Sequence, residues 1–344
     1  MISQKIENCV KSQTDPEVFS GVVHLSRGDN VLFERGYGYA IRSESIPIRT
    51  DTRFQMASGS KVFTAIGVLR LIEEGRIEFI TPLSECIDVE FPNHARQITV
   101  GHLLTHSSGI TSYFEEDVNP DYEAIWQDIP MYRIRGPRDF VPLLANKPMK
   151  FSPGEKFEYN DGGFVLLGLV IECATGQNFT DYMKEAVLVP AGMADSGYFA
   201  SDMLPGRTAY AYIRNTDGGM RTNFFAVPVI GAPDGGACTT AFDMAHFWRA
   251  LLNNKMLSEK TVRSMLQAQI ATDLKPPYGH YGHGVWIDLR EDVVRKIFVE
   301  GYDPGVAFRS SFYPNSGTLL TMLGNTSEAL WPLYRAIENE LDLR

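Results

Sequence analysis

The chain has 344 residues, 44% hydrophobic and 22% charged, which is enough apolar material for a large packed core and ordinary for a water-soluble globular protein. Its 32 basic against 42 acidic residues leave a formal net charge of −10 with no compensating Lys/Arg cluster, which argues against a nucleic-acid or anionic-membrane surface. No apolar run reaches the length of a membrane helix, and the first residues lack the basic start and apolar stretch of a secretory leader. The expectation is therefore a cytoplasmic protein, unless a leader has been removed.

In chain order, residues 18–41 read as a hairpin, with β-rich runs at 21–25 and 31–36 around the turn Arg27-Gly28-Asp29-Asn30. Residues 61–74 read as a helix that is apolar nearly all round, interrupted only by Thr64 and Arg70 and ended by Gly75. Such a helix belongs in the middle of a core. Shorter helical patterns follow at 100–105, 140–144, 162–174 (closed by Gly176) and 179–187, with an irregular Asp/Tyr/Trp/Pro-rich loop at 112–137. A further helix is expected at 241–252. Strands then return at 284–288, 296–300, 306–313 and 318–323, before a last helix at 328–341.

Strands at both ends with helices between predict an α+β chain: one antiparallel sheet assembled from both termini, flanked by helices, with a mainly helical region inserted. A single domain over 1–344 is expected, its sheet drawn from approximately 15–60 and 280–344 and its helical part from approximately 61–279. The four cysteines (Cys9, Cys86, Cys173, Cys238) are scattered without a CxxC, so free buried thiols are expected.

The chemistry is concentrated at Ser58-Gly59-Ser60-Lys61, at the head of the buried helix. A hydroxyl is a poor nucleophile until a neighbour takes its proton, and a residue three positions on lies on the same helical face, within reach of the Ser58 oxygen. The helix N-terminus favours an oxyanion and, with burial, disfavours the ammonium form of Lys61. The pattern also fits a plainer role, with Ser58 capping the helix and Lys61 a first-turn side chain. What favours chemistry is the wholly apolar helix behind it, where a lysine finds little water.

Five segments, in order, resemble the serine β-lactamase/penicillin-binding-protein family, in its class C-like and esterase/D-aminopeptidase-like branch. They are Phe54 to Lys61; His102-Leu103-Leu104-Thr105-His106-Ser107-Ser108-Gly109-Ile110; Pro153-Gly154 with Phe157, Tyr159 and residues 163–168; Gly235-Gly236-Ala237 with residues 239–244; and Asp303-Pro304-Gly305-Val306-Ala307-Phe308. The resemblance implies a β-lactamase/DD-peptidase-like fold with its site in a cleft. It also implies a serine hydrolase that forms an acyl-enzyme on Ser58, with Lys61 and Tyr159 as proton carriers and the backbone N–H groups of Ser58 and Tyr302 as oxyanion hole. The substrates implied are small-molecule or peptide acyl compounds (esters, amides or D-amino-acid peptides), with no cofactor.

The sequence departs from the family pattern in two places. Where the tyrosine motif carries Asn two residues after Tyr159, this chain has Asp161, which would favour the ammonium form of Lys61 and leave proton transfer to Tyr159; Asn160 is a second candidate for the missing amide. The third motif aligns with Val299-Glu300-Gly301, and Val299 supplies no positive charge for a substrate carboxylate. Weak recognition of penicillins and a tilt toward neutral esters or amides follow. Arg309 is expected to be an exposed surface residue, and Glu300 to face away from Val299.

His102 and His106 stand at i, i+4 spacing and His280 and His283 in a loop, but neither pair has the carboxylate or thiol that would complete a metal set, so no metal is expected. The alternative in another functional class is a catalytically impaired binding or regulatory protein that keeps the fold. Oligomeric state is left open.

Overall fold

A computed structural model describes residues 2–13, 18–89, 96–115 and 121–343. Its centre is an antiparallel sheet of eight strands: β1 (Gly21–Arg27), β2 (Asn30–Tyr37), β3 (Ile270–Ala271), β4 (His280–Tyr281), β5 (Trp286–Arg290), β6 (Val293–Asp303), β7 (Val306–Tyr313) and β8 (Thr318–Gly324). They are ordered β2-β1-β8-β7-β6-β5-β4-β3. The N-terminal hairpin therefore sits beside the last strand, Gly21 opposite Gly324 and Arg27 opposite Thr318. This is the expected sheet built from both ends.

Both faces are covered by helices, because alternate residues of the central strands are apolar on both sides. On one face lies α2 (Lys61–Glu73), with α3 (Asp161–Thr175) and α4 (Ala241–Leu252) in the same large core, which also takes Val299 and Phe308. On the other face lie α1 (Ile2–Lys11) and α5 (Leu330–Glu340), packed on Val23, Leu25, Leu320 and Met322. Helix α2 is buried from Lys61 through Leu69, as its all-round apolar sequence requires.

Some expectations are corrected. Helix α1 was not foreseen; its Ile2, Ile6, Cys9 and Val10 meet the second core. The two-residue strands β3 and β4 are too short to leave a period in the sequence. The loop at 112–137 carries two short 3₁₀ turns, Tyr122–Trp126 and Met131–Arg133, while its residues 116–120 lie outside the described part. Cys86 and Cys238 are buried free thiols, whereas Cys173 is exposed and Cys9 intermediate.

Arg309 is also not where it was expected. It is only 5% exposed, held between Phe298, Trp331 and Tyr334, and ion-paired to Glu300. The register explains this: Glu300 pairs with Arg309 while Val299 pairs with Ser310, so the arginine lies on the opposite face of the sheet from Val299. A guanidinium buried there needs a carboxylate partner, and Glu300 is it.

No helix of the described residues is long and apolar enough to cross a membrane.

Candidate active site

The candidate nucleophile segment is a 3₁₀ turn, Ala57–Ser60, leading directly into α2. It begins with strain: Ala57 holds φ at +44°, a left-handed value that a residue with a Cβ adopts at a cost of about 1–3 kcal/mol. The surroundings hold it there. Met56 N–H donates to Ala237 O and Gly236 N–H to Ala57 O, so the stretch preceding Ser58 is clamped against the Gly235-Gly236-Ala237 segment.

Strand β6 closes the other side. A Cβ placed on Gly301 would lie 2.2 Å from Met56 O and 2.8 Å from the backbone nitrogens of both Ser58 and Gly59, so only glycine lets the strand run this close to the Ser58 amide. Tyr302, the next residue, is 40% exposed and lines the cleft with Ser58.

Lys61 is 2% exposed, yet it is saturated with partners. Its Nζ donates to Ser58 Oγ at 2.9 Å and to Asp234 O at 2.5 Å, and lies 2.6 Å from Asp161 Oδ1. Burial disfavours charge on this amine, but Asp161 foremost, then Tyr159 and Asp234, more than offset it, and the ammonium form is held above its ordinary range. The expected effect of Asp161 on Lys61 is what the geometry produces.

Asn160 takes no such position. Its Oδ1 accepts from Gly163 N–H at 2.8 Å as the N-cap of α3, and its Nδ2 donates to Ile110 O at 2.6 Å. Its amide is used in the scaffold, which corrects the reading that it could replace the family's asparagine.

Tyr159 directly precedes that cap, its hydroxyl interacting with both Lys61 and Ser58. Its ring stacks on Trp286 (5.9 Å, 11°) and against His106 (4.4 Å), and Lys61 Nζ lies 5.0 Å from its centroid. Burial raises the phenol to about 12, with the Lys61 cation pulling the other way. His106 fixes this corner from behind: its Nδ1 accepts from Asn160 N–H at 3.0 Å, and burial followed by the Lys61 charge pushes its imidazole well below the usual value, so the ring is neutral.

Val299 is 2% exposed within the apolar core and brings no charge to the cleft, as its side chain predicts. Glu300 faces away from it toward Arg309 and Tyr278. His283 is 5% exposed and stacked on Phe79 at 5.0 Å, and His102 Nδ1 accepts from Thr99 N–H, so both are packed into the scaffold. Among the described residues no group of three or more His, Cys, Asp or Glu is arranged to hold a metal ion.

An open cleft lies beside Ser58, lined by Tyr113, Trp126, Asp161, Asp234 and Tyr302 among others. Sequence reasoning missed two of its residues, Tyr113 and Asp234, whose side chains meet there: Tyr113 Oη donates to Asp234 Oδ2 at 2.6 Å. Asp234 directly precedes the Gly235-Gly236 pair, so its place beside that motif was the available signal. Tyr113 lay hidden in the aperiodic loop.

The Beta-lactamase family model matches residues 4–340. The chain belongs to the β-lactamase family. Its relatives include penicillin-binding protein 4* of Bacillus subtilis, 29% identical over 72% of this chain and 55% of the relative. Another is esterase EstB of Burkholderia gladioli, 32% identical over 56% of this chain and 49% of the relative. The chain thus spans about half the length of these two relatives. Among solved structures, the penicillin binding protein from Bacillus halodurans superposes with a TM-score of 0.91 at 42% identity, covering 97% of this chain and 99% of that one. The β-lactamase-family sheet flanked by helices is thereby the fold of this protein, as the resemblance implied.

Proposed function

We propose that this β-lactamase-family chain is a serine acyl hydrolase that forms an acyl-enzyme on Ser58. The observation that carries the reading is the meeting of one hydroxyl, one ammonium and one phenol: Lys61 donating to Ser58 Oγ at 2.9 Å, and Tyr159 interacting with both.

In this reading Lys61 is a fixed cation, because Asp161 keeps it protonated. It orients Ser58 and stabilises the phenolate of Tyr159, the minority form of a phenol raised to about 12 and the form that reacts. As Ser58 Oγ bonds to the acyl carbon, its proton passes to Tyr159, and the oxyanion rests on the backbone N–H groups of Ser58 and Tyr302. The close approach of Gly301 to the Ser58 amide supports that second assignment. Tyr159 then delivers the proton to the departing alcohol or amine as the carbonyl–leaving-group bond breaks. A water molecule, losing a proton to Tyr159, attacks the acyl carbon, and Tyr159 returns that proton to Ser58 Oγ as the ester bond breaks, releasing the acid and restoring both residues.

The substrate favoured is an ester or amide without an anionic handle. Val299 stands where the family motif carries a cationic or donor side chain, and Arg309, buried across the sheet with Glu300, does not replace it. Relatives named as an esterase and as a penicillin-binding protein fit the same chemistry.

Hydrolysis of p-nitrophenyl butyrate and labelling by a fluorescent penicillin, each compared with Ser58→Ala, test the reading. Ester turnover abolished in the variant, with poor penicillin labelling, is expected. Silence of the folded wild-type protein toward both reagents would instead favour a binding or regulatory role.

A further inference from the structure

The cleft beside Ser58 has an uneven charge distribution. Three acidic residues, Asp161, Asp234 and Asp303, line it, and among the described residues no arginine or lysine does. Asp161 is matched by Lys61 at 2.6 Å. Asp234 is not matched in the same way. It is 5% exposed, Lys61 reaches its backbone carbonyl, its carboxylate accepts from the neutral Tyr113 hydroxyl, and it forms no ion pair among the described residues. Burying a carboxylate without a cation is costly, and a wall that keeps one beside a nucleophile is poised to be completed by a ligand's positive charge.

The rest of the wall points the same way. Tyr113, Trp126 and Tyr302 present aromatic surface around Asp234 and Ser58, which attracts an alkylammonium as well as an apolar chain. The position of Asp234 is fixed. Its chain continues into Gly235-Gly236, where Gly236 N–H donates to Ala57 O, and its own carbonyl holds Lys61. The carboxylate is therefore tied to the frame that carries Ser58 and cannot drift from it.

We propose that Asp234 is a specificity-determining residue that selects acyl substrates bearing a protonated amine, with Tyr113 orienting its carboxylate. This rests on the acyl-hydrolase reading of the same cleft and names its substrate class: amine-bearing esters or amides, in preference to neutral and still more to anionic ones. Burial raises Asp234 to about 6, with Lys61 the main opposing influence, so the carboxylate is charged at neutral pH and has much to gain from a cation.

The test uses three p-nitrophenyl esters with the same acyl chain length, tipped by dimethylammonium, isopropyl or sulfonate. The wild-type chain is expected to rank them cation, neutral, anion in kcat/KM, with the first about tenfold or more above the second, the worth of one charge-assisted contact. Asp234→Asn, or Asp234→Ser should that variant not fold, brings the first ratio toward unity, whereas Tyr113→Phe, which leaves the carboxylate but deletes the hydrogen bond that orients it, lowers the ratio only part of the way. Equal kcat/KM for the cationic and neutral esters in wild type, or a preference that survives loss of the carboxylate, overturns the proposal. Failure of the hydrolase reading is distinguishable: it shows as turnover of no ester that depends on Ser58. In that event the Kd values of the same three esters on the inert Ser58→Ala chain decide, the same ranking supporting the proposal and equal values overturning it.

Discussion

Lys61 Nζ lies 2.6 Å from Asp161 Oδ1 and 2.9 Å from Ser58 Oγ, so the amine nearest the nucleophile is already the partner of a carboxylate. The proposed consequence is a division of labour. In the proposed mechanism the lysine holds charge and position, and the phenol of Tyr159 carries the proton.

Asp161→Asn removes the anion that overcomes the desolvation of Lys61. Breaking a buried pair on one side is expected to cost about 3 kcal/mol of folding free energy. The folded Lys61 value is raised above its ordinary 10.5, so the pair's contribution is complete below that pH and is lost only as pH rises through the folded value. The deficit of the variant, measured by urea unfolding, is therefore constant between about pH 7 and pH 9. Because Asp161 also raises the Tyr159 phenol, the acid limb of kcat/KM moves to lower pH in any turnover that remains.

Tyr159→Phe keeps the ring stacked on Trp286 and His106 and deletes only the hydroxyl. Ester turnover is expected to fall by about 100-fold or more, the ordinary worth of general acid–base catalysis, with KM and thermal stability little changed. Steady-state kinetics beside a melting curve measure this. Near-wild-type turnover would remove the phenol from the mechanism.

Asp234→Asn separates stability from selectivity. The carboxyl is raised from 3.8 to about 6 by burial foremost, and the charged groups facing it are Lys61 from α2 and Asp161 from α3, with the Tyr113 hydroxyl as donor. A raised carboxyl stabilises the fold fully below its unfolded value, and that contribution is lost as pH rises through the folded one. Relative to wild type, the asparagine variant is expected to gain about 1–3 kcal/mol above pH 7 and nothing comparable near pH 4. Calorimetric melting at the two pH values checks the sign.

Arg309→Ala strands Glu300 in a buried site and removes the cation packed on Phe298 and Tyr334. A loss of about 3–5 kcal/mol in unfolding free energy is expected. The kcat/KM of the folded protein should stay at the wild-type value, because the residue faces away from the cleft.

Much of the fold was legible because its signals are local. The turn at Gly28, the all-apolar run after Lys61 and the glycine that ends α3 at φ +72° each act within a few residues. The candidate site was legible where a motif carries it: Ser58 and Lys61 by spacing, Tyr159 by resemblance. Arg309 was misjudged because exposure depends on what a second element brings, here α5 over the sheet. Asn160 was misjudged for a similar reason, since a cap and a catalytic amide look alike until the helix axis is known. Tyr113 and Asp234 were missed because they are 121 positions apart and meet only after the chain has closed around the cleft.

The central claim concerns a covalent bond on one oxygen. Intact-mass spectrometry of the chain quenched in acid during turnover of a slowly released acyl ester tests it most directly. The account predicts a mass increase equal to the acyl group, mapped by peptide analysis to Ser58 and missing in Ser58→Ala. Turnover with no adduct on that residue under single-turnover conditions, or an adduct that persists in the alanine variant, would contradict it.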